Sequence, residues 1–247
     1  MNIQFARILI LAICASGSAA AQMQTLGSET HTVRDAYNIE AFGKFQAMML
    51  TGDFSPKVTL LDVVAKHPTT GVGAIANALG EITIFDGTLI ISYGKQVPAA
   101  SPENEHASLL AVATTKAWQE IKVSQDVAPQ DVEAFIAKAA AEHGLKAEGP
   151  FPFQVRGTVG PYEMHVNAAP TTGPHGMGQP MAIAIQYKGD RIEGMVAGLY
   201  VSPDLVGVVS HGGTRTHAHW VALDEKATAH LDLWGLRSGS VLSIPME

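Results

Sequence analysis

The stretch Thr216-His217-Ala218-His219-Trp220-Val221-Ala222-Leu223, followed by Asp224-Glu225-Lys226 and Ala227-Thr228-Ala229-His230-Leu231-Asp232-Leu233, reads as a β-hairpin. Side chains alternate along a strand, so His217 and His219 share a face, and a turn of even length places His230 opposite His219. Directly opposed residues bring their Cβ atoms to about 5 Å. At that separation three imidazole nitrogens at about 2.0–2.1 Å hold one zinc ion and leave its fourth position open. His217, His219 and His230 are therefore the candidate metal ligands. A lone histidine on an apolar strand is ordinarily a packed or surface residue, but a His-x-His pair with a third histidine at the facing position meets a geometric requirement that chance rarely satisfies. Asp232, two residues past His230, reads equally as a ligand or as either a hydrogen-bond partner to one or a solvated strand residue. Imidazole suits zinc, copper, iron and nickel alike, so the histidines alone leave the metal open.

Working outward, the 247-residue chain is 47% hydrophobic and 16% charged, the balance of a folded chain rather than a disordered one. Its net charge of −7, with no cluster of Lys or Arg, excludes a basic nucleic-acid surface. Residues 1–21 read as a secretory signal: Arg7, the apolar run Ile8 to Ala15, then Ala19-Ala20-Ala21 before Gln22. That run is shorter than the roughly 20 residues a membrane span needs, so no span is expected after processing. The expected location is exported, periplasmic or extracellular. Cys14, the single cysteine, lies inside the leader, so no disulfide is expected in the mature chain.

The body of the chain divides by texture. Tyr37 to Leu50 fits a helix or a strand. Val58 to Lys66 reads as a short helix capped by Thr59 and ended by Pro68. Glu81-Ile82-Thr83-Ile84-Phe85 and Thr88 to Tyr93 flank Asp86-Gly87 as a hairpin. Gly71 and Gly73 lack the third glycine or the Lys-Ser/Thr pair of a phosphate-binding loop. Ala107 to Ile121 again fits either element. Pro129 opens the clearest helix, with Val132, Phe135, Ile136 and Ala139 on one face and Gly144 closing it. From Pro150 the pattern is mostly β, interrupted by a Pro-, Thr- and Gly-rich loop, Ala168 to Gly178, that carries His175. The expected class is α+β, with two closely packed subdomains at about 35–147 and 148–247. The first is expected to hold a mixed sheet with helices, and the second to be β-rich, barrel-like and to carry the metal site.

On the residues alone, Glu81 reads as an exposed strand residue and Arg156 as a surface cation. A resemblance changes both readings. Gly194-Met195-Val196-Ala197-Gly198-Leu199-Tyr200-Val201-Ser202-Pro203, Gly212 or Gly213, His217-Ala218-His219 and His230 together resemble the acetolactate decarboxylase family. Gly71-Val72-Gly73 through Leu79-Gly80-Glu81-Ile82 and Asp86-Gly87 is similar to that family's glycine-led segment, and Gly149-Pro150-Phe151 through Val155-Arg156 and Pro161-Tyr162 to its arginine-bearing one. The resemblance implies zinc on His217, His219 and His230, with Glu81 and Arg156 as catalytic residues. It also implies decarboxylation of 2-acetolactate, a small 2-hydroxy-3-keto acid, to acetoin and carbon dioxide, without an organic cofactor and in a homodimer. The pattern departs at Ala218 and at Thr228-Ala229, and Glu247 is the nearest candidate for a second carboxylate that the family takes from a C-terminal extension. Two other readings stand beside it: a decarboxylase of another β-keto acid, and an exported metal-binding protein of the same fold without turnover.

Overall fold

A computed structural model describes residues 30–32, 37–95, 101–146, 148–170 and 182–246; the leader, His175 and Glu247 lie outside the described residues. The first sheet contains β1 (Thr30–Thr32), β2 (Glu40–Phe42), β3 (Val58–Thr59), β4 (Thr70–Ile75), β5 (Gly80–Phe85), β6 (Thr88–Tyr93) and β7 (His106–Ala113). They lie in the order β1-β2-β7-β4-β5-β6, with β3 also on β7. Helices α1 (Phe45–Thr51) and α2 (Leu60–Val64) occupy its connections. After β8 (Trp118–Lys122) and α3 (Val132–Glu142) come β9 (Phe151–Pro170), β10 (Ala182–Gly189), β11 (Ile192–Tyr200), β12 (Thr216–Val221), β13 (Thr228–Leu236) and β14 (Val241–Pro245). The second sheet runs β11-β12-β13-β9-β14-β8, with β10 on β9.

Local chemistry accounts for the elements that carry the site. Asp86 and Gly87 take φ of 48° and 84°, a turn whose twist matches the flanking strands, and Phe85 lies opposite Thr88 as the hairpin reading requires. Thr59 caps α2 by accepting the Asp62 N–H at 3.2 Å. In the second sheet β11 pairs with both β12 and β9, β12 with β13, and β13 with β9, so these strands close into a ring. The 20-residue β9 makes this closure by facing β11 along its first half and β13 along its second. Between the two it passes Gly160 at φ 153°, where an added Cβ would stand 2.0 Å from the Asp190 carbonyl oxygen, so only glycine fits.

β11 also joins the two layers. Met195, Ala197 and Leu199 pack against Ile39, Val72, Phe85 and Ala111 of the first sheet. Val196 and Tyr200 face the opposite core, with Phe151, Phe153, Trp234 and the Ile136 face of α3. A strand covered on both faces is apolar throughout, hence the unbroken run from Met195 to Tyr200.

One expectation about the first half, a mixed sheet, is corrected. The stretches that fit helix or strand contain β2 with the seven-residue α1, and β7 with β8, so this half is a sheet with short helices. Every position of β4 and all but the first of β7 are buried, and that removes the period of two by which a strand is read. The described ladders are antiparallel, not mixed. Strand β8 pairs with β14, and α3 packs on the ring. No helix among the described residues is long and apolar enough to cross a membrane.

Candidate metal centre

His217 and His219 stand two apart on β12, and His230 on β13 pairs directly with His219. The hairpin register read from the sequence is the one observed. The three side chains are buried, and their rings lie 5.1–5.3 Å apart, centroid to centroid. One nitrogen from each falls within 4.8 Å of the other two, so the group could hold a metal ion.

Hydrogen bonds set which nitrogens are bare. Thr228 Oγ1 donates to the Trp220 carbonyl at 2.9 Å. With that proton engaged, Thr83 Oγ1 donates to Thr228 at 2.5 Å, and Thr83 accepts the Nδ1–H of His219 at 3.0 Å. Nε2 of His219 therefore carries a free lone pair. The Nδ1–H of His217 donates to the Val209 carbonyl at 2.7 Å, with the same result. Nδ1 of His230 lies 3.4 Å from Nε2 of His219, whereas its Nε2 lies 3.1 Å from Nε2 of His211. His230 thus brings Nδ1 to the group and turns its Nε2 to His211. Burial opposes a charge on all three rings: the His217 pKa is pushed down to about 3, and those of His219 and His230 fall well below the usual value. The imidazoles are neutral, the form that binds metal.

Glu81, on β5, is 2% exposed rather than the exposed residue its strand pattern suggests. Its Oε1 accepts the Asn167 N–H at 3.0 Å and lies 3.9 Å from His165 Nε2, and its Oε2 lies 3.8 Å from His219 Nε2. The approach to His219 is not an ion pair, because that ring is neutral. Burial raises the carboxyl to about 7, with His165 pulling the other way. A cation on the histidines would draw it down again.

The structure does not bring Arg156 to this place. Its guanidinium lies over the Phe85 ring, 4.6 Å from the centroid, with Nη2 2.5 Å from Asp86 Oδ2, and it is half-exposed. Glu81 and Asp86 sit at opposite ends of β5, and five residues of strand span roughly 16 Å. The reading of Arg156 as a surface cation describes its position.

Two histidines at the centre, His165 and His211, were not identified from the sequence, whereas Asp232 was already a candidate ligand or hydrogen-bond partner. His165 on β9 pairs across the sheet with His230, so His219, His230 and His165 form one row over three strands. Its Nδ1–H donates to Asp232 Oδ2 at 2.7 Å. Burial disfavours charge on His165, but the Asp232 bond and the nearby Glu81 outweigh it and raise its pKa. Asp232 sits at a register shift in β13 between Leu231 and Leu233, which turns its side chain to His165 rather than into the three-histidine group. His211 reaches His230 from the loop before β12, its ring centroid 3.9 Å from that of Phe45. Alternation from Val155 along β9 places His165 on the face of Phe151, a weak signal. A loop residue such as His211 has no pattern to mark it.

His217, His230, Glu81, His165 and Asp232 open on a cavity of about 580 Å³, whose other walls include Ala74, Leu109, Phe45, Met48 and Phe54. Solved structures share this fold. Alpha-acetolactate decarboxylase from Bacillus subtilis strain 168 is 15% identical with a TM-score of 0.64, over 83% of this chain and 84% of its own. A Staphylococcus aureus protein of unknown function similar to alpha-acetolactate decarboxylase is 16% identical with a TM-score of 0.60, over 82% of each chain. No curated protein sequence matches. The sequence model of alpha-acetolactate decarboxylase matches residues 42–244, most of both layers and all of the site just described. The chain belongs to the alpha-acetolactate decarboxylase family.

Proposed function

We propose that this protein decarboxylates 2-acetolactate to acetoin and carbon dioxide with a zinc ion held by His217, His219 and His230. The observation that carries the reading is the convergence of three neutral imidazoles, two with bare Nε2 atoms, beside a buried carboxyl at the end of a cavity. Zinc, when bound, supplies Lewis acidity to the ketone and hydroxyl oxygens of the substrate. The chain supplies the rest. Loss of carbon dioxide leaves an electron pair that must take up one proton, and Glu81, whose Oε2 lies 3.8 Å from His219 Nε2, is placed to deliver it from a carboxyl oxygen and recover it from water. His165, oriented by Asp232, lines the cavity and is placed to receive the substrate carboxylate, with Lys188 a second cation on the same lining.

Purified protein loaded with zinc and given racemic 2-acetolactate is expected to release acetoin faster than the spontaneous reaction, with one zinc per chain, and to lose that excess in His217→Ala. Rates equal to buffer would remove the reading. One observation, the position of Arg156 away from the cavity, favours a second: a metal-holding protein without turnover, which predicts stoichiometric zinc and no acetoin. We further propose export, from the leader at residues 1–21; a mature N-terminus at Gln22 tests it.

A further inference from the structure

The cavity extends well past the metal centre; Glu163, Gln186 and Lys188 line one part of it, and the part over β4, β7 and α1 is apolar. Glu81 pairs with Ala74 across β5 and β4, and Ala74 pairs with Leu109 across β4 and β7. Directly paired residues point to the same face, so these three side chains form one row. Strands are spaced about 4.8 Å apart, which places Leu109 roughly 10 Å from Glu81. Ala74, in the middle, is small and leaves a trough between the two. Beyond it Leu109 joins Phe45, Met48, Phe54 and Ala78 in one cluster, each at most 9% exposed, and Phe45, Met48, Phe54 and Leu109 line the cavity.

A volume of about 580 Å³ falls in the range of roughly 300–1,000 Å³ typical of sites for drug-sized ligands. 2-Acetolactate, with methyl groups as its only apolar parts, would occupy the polar end and leave the trough to water against an apolar wall. Apolar surface of that kind is stabilised by an apolar ligand group.

We infer that the preferred substrate is a 2-hydroxy-3-keto acid bearing an alkyl chain of several carbons, which lies over Ala74 and ends against Leu109, Phe45, Met48 and Phe54. The polar head of the substrate stays at the histidines, Glu81 and His165. This inference rests on the decarboxylase reading and specifies its substrate.

The test is a series of 2-hydroxy-3-keto acids on the native zinc-loaded protein, with the alkyl group at C2 or on the ketone lengthened from methyl to pentyl. kcat/KM is expected to rise roughly fourfold for each methylene buried, from about 0.8 kcal/mol per CH2, until the chain meets Leu109. Ala74→Val, which fills the trough, is expected to lower the pentyl-to-methyl ratio of kcat/KM at least tenfold. Turnover of the methyl compound with no gain, or a loss, on lengthening overturns the inference and leaves the decarboxylase reading standing. No turnover of any member overturns both.

Discussion

Thr83 shows how much of a metal centre lies outside its ligands. Its hydroxyl passes the Nδ1–H of His219 on to Thr228 and the Trp220 carbonyl, and so keeps Nε2 bare. Thr83→Val keeps the shape and removes the acceptor. Zinc affinity is expected to fall about 10- to 100-fold, as measured by competition with a chelator, because such partners orient the ligand and raise its basicity. An unchanged affinity would show that packing alone sets the ring. Arg156 is the opposite case. It is half-exposed and held by Asp86 and the Phe85 ring, so Arg156→Ala is expected to leave kcat/KM for 2-acetolactate within about twofold and to cost on the order of 1 kcal/mol of stability. A loss of activity beyond tenfold with the fold intact would contradict its placement. Glu81, His165 and Asp232 form the polar cluster that faces the cavity instead.

Strand β11 determines whether the site has a rigid back. Leu199 is fully buried in the cluster between the layers and pairs directly with His217. Leu199→Ala therefore removes packing from both sheets and from the strand that aims a ligand. A destabilisation of about 2–5 kcal/mol is expected from the lost burial and the cavity left behind, read from chemical denaturation. Zinc affinity should fall with it, because His217 depends on that strand for its position. Denaturation unaltered by the substitution would mean that the layers are held elsewhere. The bend of β9 has a parallel role: it lets one strand pair with β11 at Phe153 and with β13 at His165, where it meets His230.

For the molecule as a whole, a buried group of neutral histidines makes the metal-free protein sensitive to acid. His217 titrates near 3 in the folded chain against 6.5 as its ordinary value. Below pH 6.5 the unfolded chain takes up a proton that the folded chain refuses, so stability present above 6.5 is lost as pH falls toward 3. His211, lowered to about 4, acts in the same direction, as do His219 and His230. Glu81, raised to about 7 from 4.5, works against them: it stabilises below 4.5 and that contribution is lost as pH rises through 7. His165, also raised, opposes them too. Four lowered histidines outweigh two raised groups, and a net loss of a few kcal/mol is expected. The Tm of chelator-treated protein should fall as pH is taken from 7.5 to 5, and a flat profile would count against neutral burial. Zinc should raise Tm at pH 7.5 and be released on acidification, since protons compete for the same nitrogens.

The three histidines that could hold a metal, the facing of His219 and His230, the turn at Asp86-Gly87 and the face of α3 were legible in the sequence, because each follows from a short repeat or a turn within a few residues. The family was legible for the same reason, in the spacing of His217, His219 and His230. Glu81 was identified through that resemblance, although its own strand pattern pointed to solvent. The strands β4 and β7 were not legible, since burial on both faces erases alternation. His165, His211 and Asp232 were beyond reach as a group, for their meeting depends on a bent β9, a register shift in β13 and a loop laid over α1. Local pattern determined which residues could bind a metal. Only the closure of the second sheet against the first decided which charged and apolar groups surround it, because that closure brings together segments separated by more than a hundred residues.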